Sequence, residues 1–388
     1  MKPQTSSAAP EESLLPAQPY RLLFLCAALF ASLGMLAWGA FLHIGWLPSA
    51  SLLPIPWHAH AMLYGFAGAL VGGFVLTAAA TWTAIPTITH RGLWMLVAAW
   101  AVARLALLTQ LPCWIGALFD IGYLLALALL LARVIWLSRN TRNAFIVGIL
   151  LVYAGLDVAF YFHATRIDMN LMSRDLIGTA DLLVLLMLAM GGRVIPFFTS
   201  RKLSGHVMWT NHYLEWIVNA GGALVLVLGL FDSPLPLRGV AMIAAALLAA
   251  LRLIGWRGWR AWREPMLWVL HVGYLWLAVG LAIRGLALIG WLQMSELESI
   301  HGLTVGALGT LSIGMMARVS LGHGGANIHA NPGLVIAFVL PSIAAIVRLA
   351  CGPSGWIWAA SLWVLAFLVF LGSTGPLLLR ARRVPTHA

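Results

Sequence analysis

The stretch PIPWHAHAMLYGFAGALVGGF, residues 54–74, contains the features that decide the fold of this chain. After two histidines it becomes an apolar run with several glycines and no charged residue. A helix of about 20 apolar residues crosses the roughly 30 Å hydrocarbon core of a bilayer. The stretch therefore predicts a membrane-spanning helix that begins with a pair of imidazoles.

The whole sequence has the composition of an integral membrane protein. Of its 388 residues, 62% are hydrophobic and 9% are charged, and the mean hydropathy is +0.93. No water-soluble domain buries so large an apolar fraction. We therefore predict an all-α polytopic membrane protein of about twelve transmembrane helices. They lie near residues 21–44, 60–84, 92–110, 113–137, 143–163, 176–199, 212–231, 237–256, 265–291, 300–318, 333–351 and 356–380.

The basic residues predict the orientation. Of the 23 Lys and Arg residues, 17 fall at the face that holds both chain ends. Because Lys and Arg stay on the cytoplasmic side, both termini are predicted to be cytoplasmic, and the net charge of +11 requires no nucleic-acid partner. Residues 1–19 are then a cytoplasmic tail, 20–380 one membrane domain in contact with lipid, and 381–388 a basic cytoplasmic tail. The six exceptions are Arg104, Arg166, Arg174, Arg238, Arg284 and Arg348.

Histidines collect at the face away from the termini. His58 and His60 begin the second predicted helix there, and His301 begins the tenth. His43 and His163 end the first and fifth helices at the same face. Imidazole is a ligand of both haem iron and copper, so the grouping indicates metal binding, with interfacial anchoring as the alternative.

Charged residues occupy the same half of the predicted helices. Ionisable groups in a bilayer need a partner or a function. Arg104 with Asp120 or Asp157 is a candidate ion pair between helices. Asp157 and Asp181 are candidate proton carriers.

The spacing of the histidine pair limits its use as one site. Residues two apart on a helix point about 200° apart, so His58 and His60 cannot bind one ion from regular helix. Either they serve different partners, or His58 lies in the turn before the helix, which Pro54 and Pro56 favour. His60 then begins the helix alone, and His58 is left for a copper site or for the turn.

Glycines follow His60 and His301 at the same offsets of five, eight and thirteen residues. Small residues let a helix approach either a second helix or a macrocycle closely. Two helices that run in one direction, each with an imidazole at the same depth, are what haem ligation by two axial histidines requires. His60 and His301 are therefore the haem ligand candidates.

A second group of polar residues lies toward the face of the termini. His271 falls about two turns inside the ninth helix, where an unpaired imidazole would lose its water. It predicts either a hydrogen bond to a neighbouring helix or a ligand of a second centre, and His323 is placed to reach the same region. Arg193 and Arg318 are candidates to pair haem propionates, with positive-inside anchoring as the alternative.

Four segments resemble the NnrS family of bacterial inner-membrane proteins. They are PWHAHAMLYGF (56–66), GGRVIPFFTS (191–200), LHVGYLW (270–276) and HGLTVGALGTLSIGMMARVSLGHGG (301–325). The resemblance covers nearly the whole chain. It implies a multi-pass inner-membrane protein with haem, of b type, and copper, linked to nitric oxide metabolism and nitrosative stress. By position, the family's histidines are His58, His60, His271, His301 and His323.

The chain departs from the family pattern at Ala61, where a glutamate usually follows the histidine pair, and at Ala326. A carboxylate at position 61 could have oriented a histidine by accepting its hydrogen bond. The plan of twelve helices also looks distantly like the core subunit of haem-copper oxidases, whose second and tenth helices supply haem ligands. That likeness fails at the sixth and seventh helices, which lack the copper histidines.

The resemblance implies a haem and copper protein that binds nitric oxide and protects the cell from it. Redox conversion of nitric oxide at a haem would make it an enzyme with an unidentified electron donor. One alternative is a transporter of a small solute or metal ion through the polar layer, which predicts inverted repeats with helices broken at midplane. Another is a non-catalytic haem-handling factor.

Overall fold

The computed structural model describes residues 18–47, 52–109, 111–203, 205 and 208–380. Within these ranges the chain forms helices and no strand. Twelve helices are long and apolar enough to cross a membrane, which confirms the predicted fold class and number of spans. Apart from Gln18 and Pro19, the predicted tails 1–19 and 381–388 lie outside the described residues.

We number the spanning helices in chain order. They are α1 Pro19–Ile44, α2 Pro54–Thr83, α3 His90–Leu108, α4 Cys113–Ser138, α5 Thr141–Thr165, α6 Met169–Lys202, α7 His212–Leu230, α8 Leu235–Gly255, α9 Pro265–Leu288, α10 Glu296–Gly324, α11 Pro332–Ala350 and α12 Gly352–Leu379.

Several helices begin earlier than the sequence predicted, among them α2, α6 and α10. Helix α6 begins at Met169 rather than at residue 176, and the side chain of Asp168 caps it by accepting from the Leu171 N–H at 3.0 Å. Helix α10 begins at Glu296 rather than at residue 300, after a capping box formed by Ser295 and Glu298. Polar capping residues lower the local hydropathy, so the apolar pattern places such starts too late.

The bundle closes by packing α12 against α1. Arg21 of α1 donates to the Leu377 carbonyl at 3.1 Å and also to the Arg380 carbonyl. Both described ends of the chain therefore lie at one face, which we call the terminal face. Helices α2 and α10 start at the opposite face, which we call the far face.

Helices α2 and α10 are the most buried of the twelve. Each changes to π-helix directly after a predicted imidazole, over Ala61–Phe66 in α2 and Gly302–Gly309 in α10. π-helical turns are rare in proteins, and those that occur often lie at functional sites. The two helices with matched glycine offsets thus also share a π-helical segment at the same place.

Several of the glycines at matched offsets after His60 and His301 pack against large side chains of neighbouring helices. A Cβ built on Gly306 would lie 2.5 Å from the indole of Trp276 in α9, and one built on Gly73 would lie 2.8 Å from Phe24 in α1. Gly65 is filled in the same way by Phe30 of α1. The structure favours helix packing, rather than a macrocycle, as the reason for these glycines.

Gly306→Ala is expected to lower the free energy of unfolding by about 1–3 kcal/mol, because the added methyl group would overpack the contact with Trp276. That indole is held in place, since its Nε1 donates to Ser342 Oγ at 3.0 Å. Gly155→Ala is the matched control, because no atom lies within 4 Å of a Cβ at that site. Denaturant unfolding in detergent measures both, and equal losses would contradict the packing role.

Candidate functional site

A cavity of about 440 Å³ lies among α1, α2, α6, α10, α11 and α12 near the far face. His58 and His301 both line it. Its volume falls in the roughly 300–1,000 Å³ range of small-molecule and cofactor sites. Most of its wall is apolar, including Met35, Met62, Leu63, Phe66, Leu308 and Trp363.

His58 lies within the helix, so the prediction that it sits in a preceding turn is wrong. The α-helical part of α2 runs Pro54–His60, and Pro is tolerated in a first turn because no backbone N–H is needed there. The His58 ring stacks on Trp38 of α1, with centroids 4.4 Å and planes 18° apart. Its Nδ1 is buried without a hydrogen-bond partner among the described residues. The site thus holds the ring by stacking and leaves this nitrogen open.

His301 lies at the start of α10, directly before the π-helical segment. Its Nδ1 is 3.3 Å from the carbonyl oxygen of Glu298. A carbonyl only accepts, so Nδ1 is the protonated nitrogen of the neutral ring and Nε2 keeps the lone pair. That lone pair is what a metal ion requires.

His60 does not line this cavity. Its Nε2 is 3.0 Å from Asp157 Oδ1 and 3.8 Å from Asp120 Oδ2. Since residues two apart point to opposite sides of a helix, the two imidazoles of the pair serve different partners. The structure brings His58, rather than His60, to the same cavity as His301.

The residues around His60 form a buried polar cluster. Asp120 pairs with Arg104, as the sequence predicted, and accepts a hydrogen bond from Tyr161 at 3.1 Å. The ligand atoms of His60, Asp120 and Asp157 lie within 4.8 Å of one another, a spacing that can hold a metal ion. The contact with Asp157 fixes the orientation of the His60 ring.

Asp181, the other candidate proton carrier, belongs to a second buried network. It pairs with Arg284, which also donates to Glu296 at 2.6 Å. Arg238 donates to the same Glu296 oxygen at 2.8 Å. The network joins α6, α8 and α9 to the first turn of α10, and so it supports the segment that carries His301.

The remaining histidine candidates lie away from the cavity. His271 Nε2 is 3.0 Å from Thr199 Oγ1, as expected for a bond between helices, and the ring of His323 lies 5.7 Å from that of Tyr20. His163 Nδ1 is 2.6 Å from Asp175 Oδ2, and His43 is exposed at the end of α1. None of the four lines the cavity.

The two arginines predicted to pair propionates also lie elsewhere. Arg193 donates to Asn143 Oδ1 at 2.8 Å. Arg318 donates to the Met266 carbonyl at 3.3 Å, and its guanidinium lies 3.8 Å from the ring centroid of Phe198. These contacts join helices and do not reach the cavity.

The family model described as NnrS protein matches residues 15–382 of the chain. The chain belongs to the NnrS family. No curated protein matches it. The match spans α1 to α12, so both cavity histidines lie within it. NnrS membership supports a multi-pass membrane protein of the nitric oxide response.

The cavity of this NnrS protein fits the two groups that the resemblance implies. Its walls are mostly apolar, as a macrocycle requires, and they include His58, whose Nδ1 has no hydrogen bond to a described residue, and His301, whose Nε2 keeps a lone pair. Met35 and Met62 add thioethers, which together with imidazole suit copper.

Two further cavity residues of this NnrS protein were missed in the sequence, Arg348 and Trp356. Arg348 is one of the six basic residues at the face that the positive-inside rule disfavours. That exception was the signal that could have identified it. Nothing in the sequence pattern marked Trp356, because Trp is common at helix ends in membranes.

Proposed function

We propose that this protein binds a haem in the cavity between α2 and α10, and that the haem binds nitric oxide and lowers its toxicity. The observation that carries the proposal is that His58 and His301, from the two most buried helices, line one cavity in a member of the NnrS family. An iron held by imidazole in a haem supplies gas binding and electron exchange.

The two imidazoles are held differently, which suggests separate roles. Both would be able to hold a haem iron, but the protein fixes the two rings to different degrees. His58 would hold the iron less firmly, because its Nδ1 has no hydrogen bond to a described residue and its ring rests on Trp38. His301 is fixed through Nδ1 by the Glu298 carbonyl and is the better permanent ligand.

The walls suit a neutral, lipid-soluble gas. Leu308 lines both the 440 Å³ cavity and a second cavity of about 100 Å³ among α1, α2, α6, α9 and α10. The second cavity is lined almost wholly by apolar atoms, and such cavities stay free of water. Apolar space beside the binding cavity supports entry of nitric oxide without a polar channel.

The transport alternative has weaker support. Two of the buried carboxylates that an ion path would use, Asp120 and Asp181, are engaged by Arg104 and Arg284. The π-helical segments also begin near the far face rather than at the midplane. The haem type, an electron donor, the bacterial inner membrane and cytoplasmic termini remain parts of the proposal that rest on the resemblance and the arginine pattern.

His60→Ala is expected to keep haem binding and to lose stability. The ring contacts Asp157 and the aromatic residues Tyr64 and Phe160, not the cavity. Absorbance should show at least about half of the wild-type haem per chain, while the free energy of unfolding falls by about 1–3 kcal/mol. If a folded His60→Ala variant contained no haem, this expectation would be wrong and His60 would again be the candidate haem ligand.

A further inference from the structure

Arg348 and Trp356 both line the cavity, and each carries a hydrogen-bond donor without a partner among the described residues. Nη1 of Arg348 and Nε1 of Trp356 are buried and have no hydrogen-bond partner among the described residues. Both residues line the cavity beside His58 and His301. Buried donors without acceptors are unfavourable, so a ligand in this cavity is expected to supply acceptor atoms.

The two donors are held as one unit. Arg348 lies near the end of α11 and Trp356 near the start of α12, joined by the 3₁₀ turn Gly352–Gly355. The guanidinium carbon lies 4.8 Å from the centroid of the Trp356 ring. A guanidinium beside an aromatic ring loses less freedom when it binds a ligand.

No carboxylate of the described chain lies within 4.0 Å of Arg348 in an ion pair. Glu298 lines the same cavity, but its Oε2 accepts from the Ser295 backbone N–H at 3.0 Å and from Ser295 Oγ at 2.8 Å. The capping box thus engages the acid that could have paired with Arg348. Glu298 therefore acts on Arg348 only as a charge beyond ion-pair distance, and Nη1 of Arg348 keeps a donor without an acceptor among the described residues.

We propose that Arg348 and Trp356 form a carboxylate-binding subsite of the cavity. The planar guanidinium matches a carboxylate, and the indole N–H adds a donor beside it. The ligand is then a macrocycle with an apolar body, a metal for the imidazoles and acidic side chains for this subsite. The inference rests on the proposed function and assigns the acidic groups to Arg348, not to Arg193 or Arg318.

The test compares haem with haem dimethyl ester, in which both carboxylates are blocked. Each compound is titrated into purified full-length protein and followed by absorbance. The wild type is expected to bind haem at least about tenfold more tightly than the ester. Arg348→Met should remove most of this preference by weakening haem binding, with ester binding unchanged within about twofold. Trp356→Phe keeps a ring beside the guanidinium but removes the donor, and should lose about threefold of the preference.

Arg193→Met and Arg318→Met are the matched controls and should keep the full preference. Equal binding of haem and ester by the wild type, or an unchanged preference in Arg348→Met, overturns the subsite while haem binding stands. If the wild type binds neither compound, the subsite and the proposed function both fail. Ester binding by Arg348→Met would show that the variant folds. If Arg348→Met binds neither compound, the preference of Trp356→Phe for haem over the ester decides whether the subsite exists.

Discussion

Alanine at His301 is expected to abolish haem binding by the purified protein. His301 is the cavity imidazole whose Nδ1 is fixed by the Glu298 carbonyl and whose Nε2 keeps its lone pair. Even the loss of an outer hydrogen-bond partner commonly costs 10–100-fold in metal affinity, so loss of the ligand itself should leave less than about a tenth of the wild-type haem. His58→Ala should reduce haem less, because no hydrogen bond to a described residue fixes Nδ1 of His58. Absorbance and iron content per chain measure both variants.

His212→Ala is the matched control for a histidine away from the cavity. His212 is exposed at the start of α7, and its Nε2 accepts from the Trp216 indole at 2.9 Å. This variant should keep the wild-type absorbance. Haem retained by His301→Ala would contradict the ligand assignment, and an equal loss in His212→Ala would show that the effect is not specific to the cavity.

Replacing Arg284 with methionine is expected to lower the free energy of unfolding by about 3–5 kcal/mol, because Asp181 would remain as a buried charge without its partner. Both side chains are fully buried. Glu296 would keep Arg238 but lose Arg284. The measurement is denaturant unfolding of the protein in detergent, monitored by tryptophan fluorescence.

Two variants test whether burial of the charge causes the effect. Lys202→Met breaks an ion pair with Glu264 at 3.5 Å in which Lys202 is 50% exposed, and should cost less than about 0.5 kcal/mol. Arg284→Met combined with Asp181→Leu removes both charges and should recover part of the lost stability. An Arg284→Met effect no larger than that of Lys202→Met would refute the buried network.

The sequence predicted the number of spans because each carries an unbroken apolar run, which hydropathy detects directly. It missed the starts of α6 and α10 because Asp168 and Ser295 are polar caps that lower local hydropathy. Capping depends on hydrogen bonds from particular side chains to backbone N–H groups. Composition averaged over a span does not contain that information.

The sequence related α2 to α10 through the matched glycine offsets and paired His60 with His301, whereas the structure places His58 in the cavity that His301 lines. The two imidazoles point about 200° apart, and only the packing of α2 shows which one faces α10. The π-helical segment after His60 changes that facing further, and no simple pattern marks a π-helix. The rotation of α2 about its own axis could therefore not be predicted from the sequence pattern.

The basic residues at the far face carry more information about buried polar contacts than the sequence analysis drew from them. Arg104, Arg238 and Arg284 each pair with a buried or half-buried carboxylate. Arg348 has no such partner among the described residues and lines the cavity. Basic residues at the face that the positive-inside rule disfavours mark positions with a partner or a function. Only the folded structure shows which acidic residue each of them contacts.

The absorption spectrum and metal content of the wild-type protein, before and after nitric oxide is added, test the central claim most directly. Haem is expected to copurify or to be restorable, and nitric oxide is expected to shift its spectrum. Protein that is folded but takes up neither haem nor copper would contradict the account.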